Sequence, residues 1–169
     1  MPVLIVLVLF LLTARVIHSV QDAPAPPGTI EVVAVGHQFW WEFRYPKLGV
    51  VTANELHVPV SDPAHPTPTF ITLLSADTDH SFWVPRLAGK TDLIPNRVNR
   101  TWIDPREPGV YLGQCAQYCG TQHAKMLLRV YVDPQEKLAA RSGGVPAFRW
   151  IMRWTQKMLF RLSSVSAEL

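Results

Sequence analysis

The feature that most constrains this chain is the stretch Cys115-Ala116-Gln117-Tyr118-Cys119-Gly120-Thr121-Gln122-His123-Ala124-Lys125-Met126. It holds the only two cysteines in the sequence, and a histidine and a methionine follow them at short intervals. The segments on either side, 110–113 and 127–132, read as strands, so the rest of the chain is organised around a loop between two β-elements. Thiolate, imidazole and thioether are soft donors that suit copper better than any hard cation.

Other readings of the loop explain less of it. Three residues between the cysteines do not forbid a disulfide, but a disulfide gives the histidine and methionine nothing to do. Zinc knuckles use C-x₂₋₄-C with a second Cys/His pair and rarely a methionine. A catalytic cysteine needs a base, not a second thiol and a thioether. A mononuclear blue-copper site uses one Cys, two His and a weak Met; the second cysteine makes this set larger than that.

The pattern C-x₃-C-G-x₂-H-x₂-M resembles the binuclear copper A loop of cytochrome c oxidase subunit II. The resemblance implies two copper ions bridged by Cys115 and Cys119, with His123 and Met126 as terminal ligands and the Gln117 backbone carbonyl as a further donor. The family takes a second histidine from an upstream loop. Asp77-Thr78-Asp79-His80-Ser81-Phe82-Trp83-Val84-Pro85 matches that loop and makes His80 the candidate. By the family pattern one copper takes His80 and Met126, and the other takes His123 and the Gln117 carbonyl.

Two more stretches carry the resemblance. Gly36-His37-Gln38 precedes five aromatics within seven residues, Phe39 to Tyr45. In the family an aromatic here is the port through which electrons arrive, which implies Phe39, Trp40 and Trp41; Phe39 stands where the usual tryptophan falls. Lys90-Thr91-Asp92-Leu93-Ile94-Pro95-Asn96-Arg97 resembles the family's K-T-D-x-I-P-x-R run. The likeness extends from about Ile30 to Val132.

Composition agrees with a single small β-domain plus appendages. Hydrophobic residues make up 48% of the 169, enough for a core, and 15 prolines favour loops and edge strands over long helices. About eight short strands with turn-rich connections read as an all-β sandwich or barrel, and the resemblance implies a cupredoxin-like Greek key over 29–135. A net charge of +3 with no recognisable motif argues against nucleic acid as a partner. His37 reads as a structural hydrogen bonder, and His57 and His65 as solvated.

The termini differ from the middle. Residues 2–12 are an unbroken apolar run, shorter than the ~20 residues of a bilayer span. A signal peptide would have a basic n-region. The expectation is a transmembrane helix over 1–20, the second of the two that the family carries. The proline-rich 21–28 reads as a linker. In the tail, 136–169, Arg149, Arg153, Lys157 and Arg161 recur every fourth residue among aromatics, which predicts an amphipathic helix at a membrane or a partner.

The resemblance implies a one-electron relay as part of an oxidoreductase and translocase. Electrons come from cytochrome c or a similar donor, and oxygen is reduced on a separate haem-copper subunit I. The copper domain is expected on the periplasmic face of a bacterial inner membrane. No C-x-x-C-H occurs, so covalent haem c is not expected. Gln117 replaces the family's usual glutamate, and a neutral amide is a poorer magnesium ligand than a carboxylate, which weakens the case for an interface magnesium. A stand-alone copper carrier and a nitrous oxide reductase-like copper domain are the alternatives.

Overall fold

The computed structural model describes residues 2–21, 29–64 and 66–134. The expected tail helix over 136–169, all but the first residue of the 21–28 linker, and His65 lie outside them. The order is α1 (Pro2–Gln21), β1 (Glu31–His37), β2 (Trp40–Tyr45), β3 (Val50–Ala53), β4 (Glu55–Pro59), β5 (Thr69–Ser75), β6 (His80–Trp83), β7 (Thr91–Leu93), β8 (Asn99–Ile103), β9 (Gly109–Cys115), a short 3₁₀ turn (His123–Lys125) and β10 (Leu127–Asp133).

The amino-terminal run does form a helix, and its apolar side chains from Val3 to Leu12 are exposed. Among the described residues no helix is long and apolar enough to cross a membrane. The structure thus gives the expected helix without showing the expected span; the apolar run stops at Leu12 and Arg15 follows.

The strands form two five-stranded sheets, ordered β3-β2-β1-β5-β8 and β4-β10-β9-β6-β7. Each contains one parallel pair, β1 with β5 and β10 with β4. A hairpin cannot join parallel neighbours, so the chain crosses between sheets, as a Greek key does and a simple meander does not. Side chains alternate faces along a strand, and the inward set makes the core. It includes Val32 and Ala34 of β1, Trp41 and Phe43 of β2, and Leu128 and Val130 of β10.

Asn54 joins β3 to β4 in a left-handed conformation (φ 58°), which asparagine tolerates better than most residues. Its side-chain Oδ1 accepts from the Trp41 N–H at 2.8 Å, and its own N–H donates to the Trp41 carbonyl at 2.8 Å. Its carbonyl accepts from Arg129 N–H at 2.9 Å, so one residue touches both sheets where the chain passes between them.

Two local expectations change. Among the described residues the strands number ten, because β3 and β7 are short elements of four and three residues. Phe39 lies in the turn of the β1–β2 hairpin, where the Gln38–Phe39 peptide is cis. His57 is not solvated: the β4–β10 register sets it opposite Tyr131, and the two rings stack at 4.8 Å and 8°.

Candidate metal centre

The site is built at the end of the second sheet. Cys115 closes β9 and Met126 immediately precedes β10. The Cys115 N–H donates to the Met126 carbonyl at 3.0 Å, so the first and last donors of the loop stand one rung apart. Between them the chain tightens through the 3₁₀ turn, where His123 N–H donates to the Gly120 carbonyl at 3.1 Å. His80 comes from β6, which lies beside β9 with Phe82 opposite Cys115. His80 is thus the first residue of a strand, which fixes it more firmly than the loop position expected from sequence.

These elements bring the donor atoms together. The Cys115 and Cys119 sulfurs are 3.9 Å apart. His80 Nδ1 lies 3.8 Å from the Cys115 sulfur, and His123 Nδ1 lies 3.5 Å from that of Cys119. Met126 Sδ is 3.8 Å from the Cys119 sulfur, and the Gln117 carbonyl is 3.1 Å from that of Cys115. The ligand atoms of His80, Cys115 and Cys119 all fall within 4.8 Å of one another, a group that could hold a metal ion. Metal–sulfur bonds of about 2.3 Å span up to about 4.6 Å between two sulfurs, so this separation admits an ion shared by both thiols. Both cysteines are free thiols.

The surroundings are dry on one side and open on the other. His80 and Met126 are fully buried and both cysteines nearly so, whereas His123 is half-buried and Gln117 exposed. Burial pushes both thiols up. At Cys115 hydrogen bonds from His80 and the backbone outweigh it and bring the thiol down to about 6. At Cys119 the charge of Cys115 adds to burial and the thiol rises to about 12. Burial also pulls His80 down, but its contacts with Cys115 and Asp77 prevail and leave it raised.

Sequence reasoning missed the residues that position these donors. Asp77 Oδ1 lies 2.7 Å from His80 Nε2, which leaves Nδ1 facing the thiols. Such a carboxylate behind a ligating histidine fixes its tautomer and ring orientation. Gly36 runs against the same ring: a Cβ there would stand 2.8 Å from it. Gln38 donates from its side-chain amide to the Cys119 carbonyl at 2.6 Å. An acid three residues before His80, and the Gly36-His37-Gln38 triplet itself, were the available signals.

The structure separates the three aromatics expected at the electron port. Phe39 packs on the cysteine-bearing loop, where a Cβ at Gly120 would stand 2.9 Å from its ring. Trp40 stacks on His37 at 4.4 Å, and His37 Nε2 lies 2.9 Å from Glu42 Oε2, the structural bonding expected of it. Trp41 is fully buried, 6.2 Å from the His80 ring. A sequence reading missed Tyr118, an exposed ring set edge-on to His123 at 5.8 Å.

A family model described as the periplasmic domain of cytochrome c oxidase subunit II matches residues 63–132, the interval that contains every candidate donor. Over this interval the chain is similar to cytochrome c oxidase subunit II. Cytochrome c oxidase subunit 2 of Alkalihalophilus pseudofirmus is 31% identical over 150 residues, which cover 86% of this chain and 42% of that protein. The same subunit of a Bacillus species is 30% identical over 151 residues, with shares of 82% and 41%. The chain therefore spans less than half the length of the curated relatives it matches. The solved periplasmic domain of subunit II of cytochrome oxidase from Bradyrhizobium japonicum superposes with a TM-score of 0.63 at 25% identity, over 79% of this chain and 99% of that one. The cupredoxin-like sandwich expected for a subunit II domain is thereby met.

Proposed function

We propose that this chain is the electron-accepting subunit II of a haem-copper cytochrome c oxidase. Its centre takes two copper ions, held by Cys115, Cys119, His80, His123, Met126 and the Gln117 carbonyl. The observation that carries this reading is the convergence of these donors from two segments 35 residues apart, with both sulfurs in the middle. A single tetrahedral zinc needs four ligands and rarely a thioether, so the set is too large and too soft for zinc. When bound, the copper pair supplies one-electron transfer with no bond made or broken on this chain.

The residues around it serve that chemistry. Cys119 gives up its proton on metal binding, because thiolate is the ligand. Asp77 keeps His80 oriented, and burial of His80 and Met126 excludes water from that side. The closed β9–β10 rung restrains the loop, so donor positions change little when the charge of the centre changes. The acceptor is the haem of a separate catalytic subunit, where oxygen is reduced to water with proton pumping. The donor is cytochrome c or a similar carrier, arriving through the Phe39 side of the aromatic segment. The domain faces the periplasm, and the exposed apolar residues of α1 support membrane attachment. The exposed Gln117 amide offers an interface magnesium a weaker ligand than a carboxylate would.

Electron paramagnetic resonance of the copper-loaded full chain tests this. An unpaired electron shared over two copper nuclei gives a hyperfine pattern that one nucleus cannot produce. The expected result is the shared pattern, with co-purification of a haem-bearing membrane subunit from native membranes. A single-nucleus pattern would rule out the paired centre; a shared pattern without a haem partner would point to a free-standing carrier.

A further inference from the structure

The turn between β1 and β2 touches both sides of the donor set, and Gln38 is where the two contacts meet. Its backbone N–H donates to Asp77 Oδ2 at 2.6 Å, while the other carboxylate oxygen holds His80 Nε2 at 2.7 Å. Its side-chain amide donates to the Cys119 carbonyl at 2.6 Å. The first contact spans 39 residues of sequence and the second 81.

Cys119 has particular need of such a hold. It lies in the loop outside both strand ladders, so sheet pairing does not fix its backbone. Yet its sulfur contacts three other donors: Cys115 at 3.9 Å, His123 at 3.5 Å and Met126 at 3.8 Å. A shift of this residue changes its distance to all of them at once. The packing leaves little slack for a substitute contact. A Cβ at Gly120 would stand 3.1 Å from the Gln38 amide nitrogen, and one at Gly36 would stand 2.8 Å from the His80 ring.

The geometry points to Gln38 as a positioning residue that sets the separation of the His80 side from the Cys119 side of the metal centre. This rests on the copper reading above. Gln38 reaches the centre only through the Cys119 backbone and the Asp77 carboxylate, so it is not a ligand. Its two arms are separable. Gln38→Ala removes the amide but leaves the backbone N–H for Asp77. Gln38→Glu keeps the volume and turns a carboxylate oxygen toward the Cys119 carbonyl, replacing attraction by repulsion.

The test uses the full chain in detergent, loaded with copper and then mixed with excess chelator. Loss of an outer-shell partner of a ligand typically costs about 10- to 100-fold in metal affinity. Both variants are expected to take up copper but release it faster than wild type by a factor in that range. Both should also show shifted thiolate-to-copper absorption and altered hyperfine splitting. A residue that merely supports the fold would lower the melting temperature of the metal-free chain and leave the spectra unchanged. Wild-type release rates and spectra in both variants overturn the inference while leaving the copper reading intact. A wild-type chain that binds no copper overturns both. Gln38→Glu, being nearly isosteric, keeps the comparison decisive should Gln38→Ala fail to fold.

Discussion

Cys115 and Cys119 are chemically alike and placed in opposite surroundings. Burial raises both, but Cys115 is brought down to about 6 by His80 and backbone contacts, while Cys119 is driven to about 12 by burial and by its ionised neighbour. In the metal-free fold the depressed thiol contributes stability that is complete above about 9 and lost as pH falls through about 6. The raised thiol contributes stability that is complete below about 9 and lost as pH rises through about 12. Between these limits Cys115 is ionised and Cys119 still carries its proton. On the proposed copper reading a bound ion displaces that proton, so affinity should rise about tenfold per pH unit from 7 to 8. Competition with a copper chelator at both values checks this; an affinity independent of pH would contradict the assignment of Cys119 as a protonated ligand. The clustering of Cys115, Cys119, His123 and Met126 was legible in the sequence because soft side chains at short spacing have few other uses, whereas His80 came only with the family resemblance. Asp77 and Gln38 were not legible, since a hydrogen bond across 39 or 81 residues leaves no local periodicity to read.

The passage of the chain from one sheet to the other is pinned by strand β2 as much as by the turn at Asn54. The Tyr45 hydroxyl donates to the His57 carbonyl at 3.2 Å and accepts from the His57 N–H at 2.7 Å. It thereby satisfies the outer edge of β4, the end strand of its sheet. Tyr45→Phe strands both backbone groups and should cost about 1–3 kcal/mol at neutral pH. Burial raises the Tyr45 phenol to about 12, with its hydrogen bonds opposing that shift. The contribution of the neutral hydroxyl is complete below about 10 and fades as pH climbs toward 12. Urea unfolding of wild type and variant should therefore differ at pH 7 and converge at high pH; a gap that persists there would show that the hydroxyl is not the source. Strands of five to seven residues with clean alternation, such as β5 and β10, were readable in advance. Strands β3 and β7 were not, because four and three residues are too few to show a period and only their neighbours make them strands.

Across the whole molecule, the donor-bearing end carries few charges of mixed sign, with exposed Asp77 and Asp79 just before His80. Between Cys115 and Met126 the only formally charged side chain is Lys125. Arg44, beside the aromatic turn, is paired with Glu42 at 2.7 Å. Long-range steering of a charged donor is therefore weak. Stopped-flow reduction of the loaded centre by cytochrome c should change by well under the ~10-fold that strong steering confers. That holds from low ionic strength, where the Debye length is about 30 Å, to physiological, where it is about 8 Å. A steep fall with salt would mean that the donor lands on a charged face elsewhere. The sandwich itself was foreseeable from strand content, but the separation of Phe39, Trp40 and Trp41 was not, since it depends on where the hairpin turns. The single rung between Cys115 and Met126 has a wider consequence. The donor-rich stretch leaves and rejoins the scaffold at one point, so insertions or exchanges within it shift no strand register. It is a cassette that evolution can rewrite, or an engineer transplant into another hairpin. His80, embedded in β6, and Gln38, in the β1–β2 turn, cannot travel with it, so the host must already supply an imidazole on the adjacent strand and a donor to the Cys119 carbonyl.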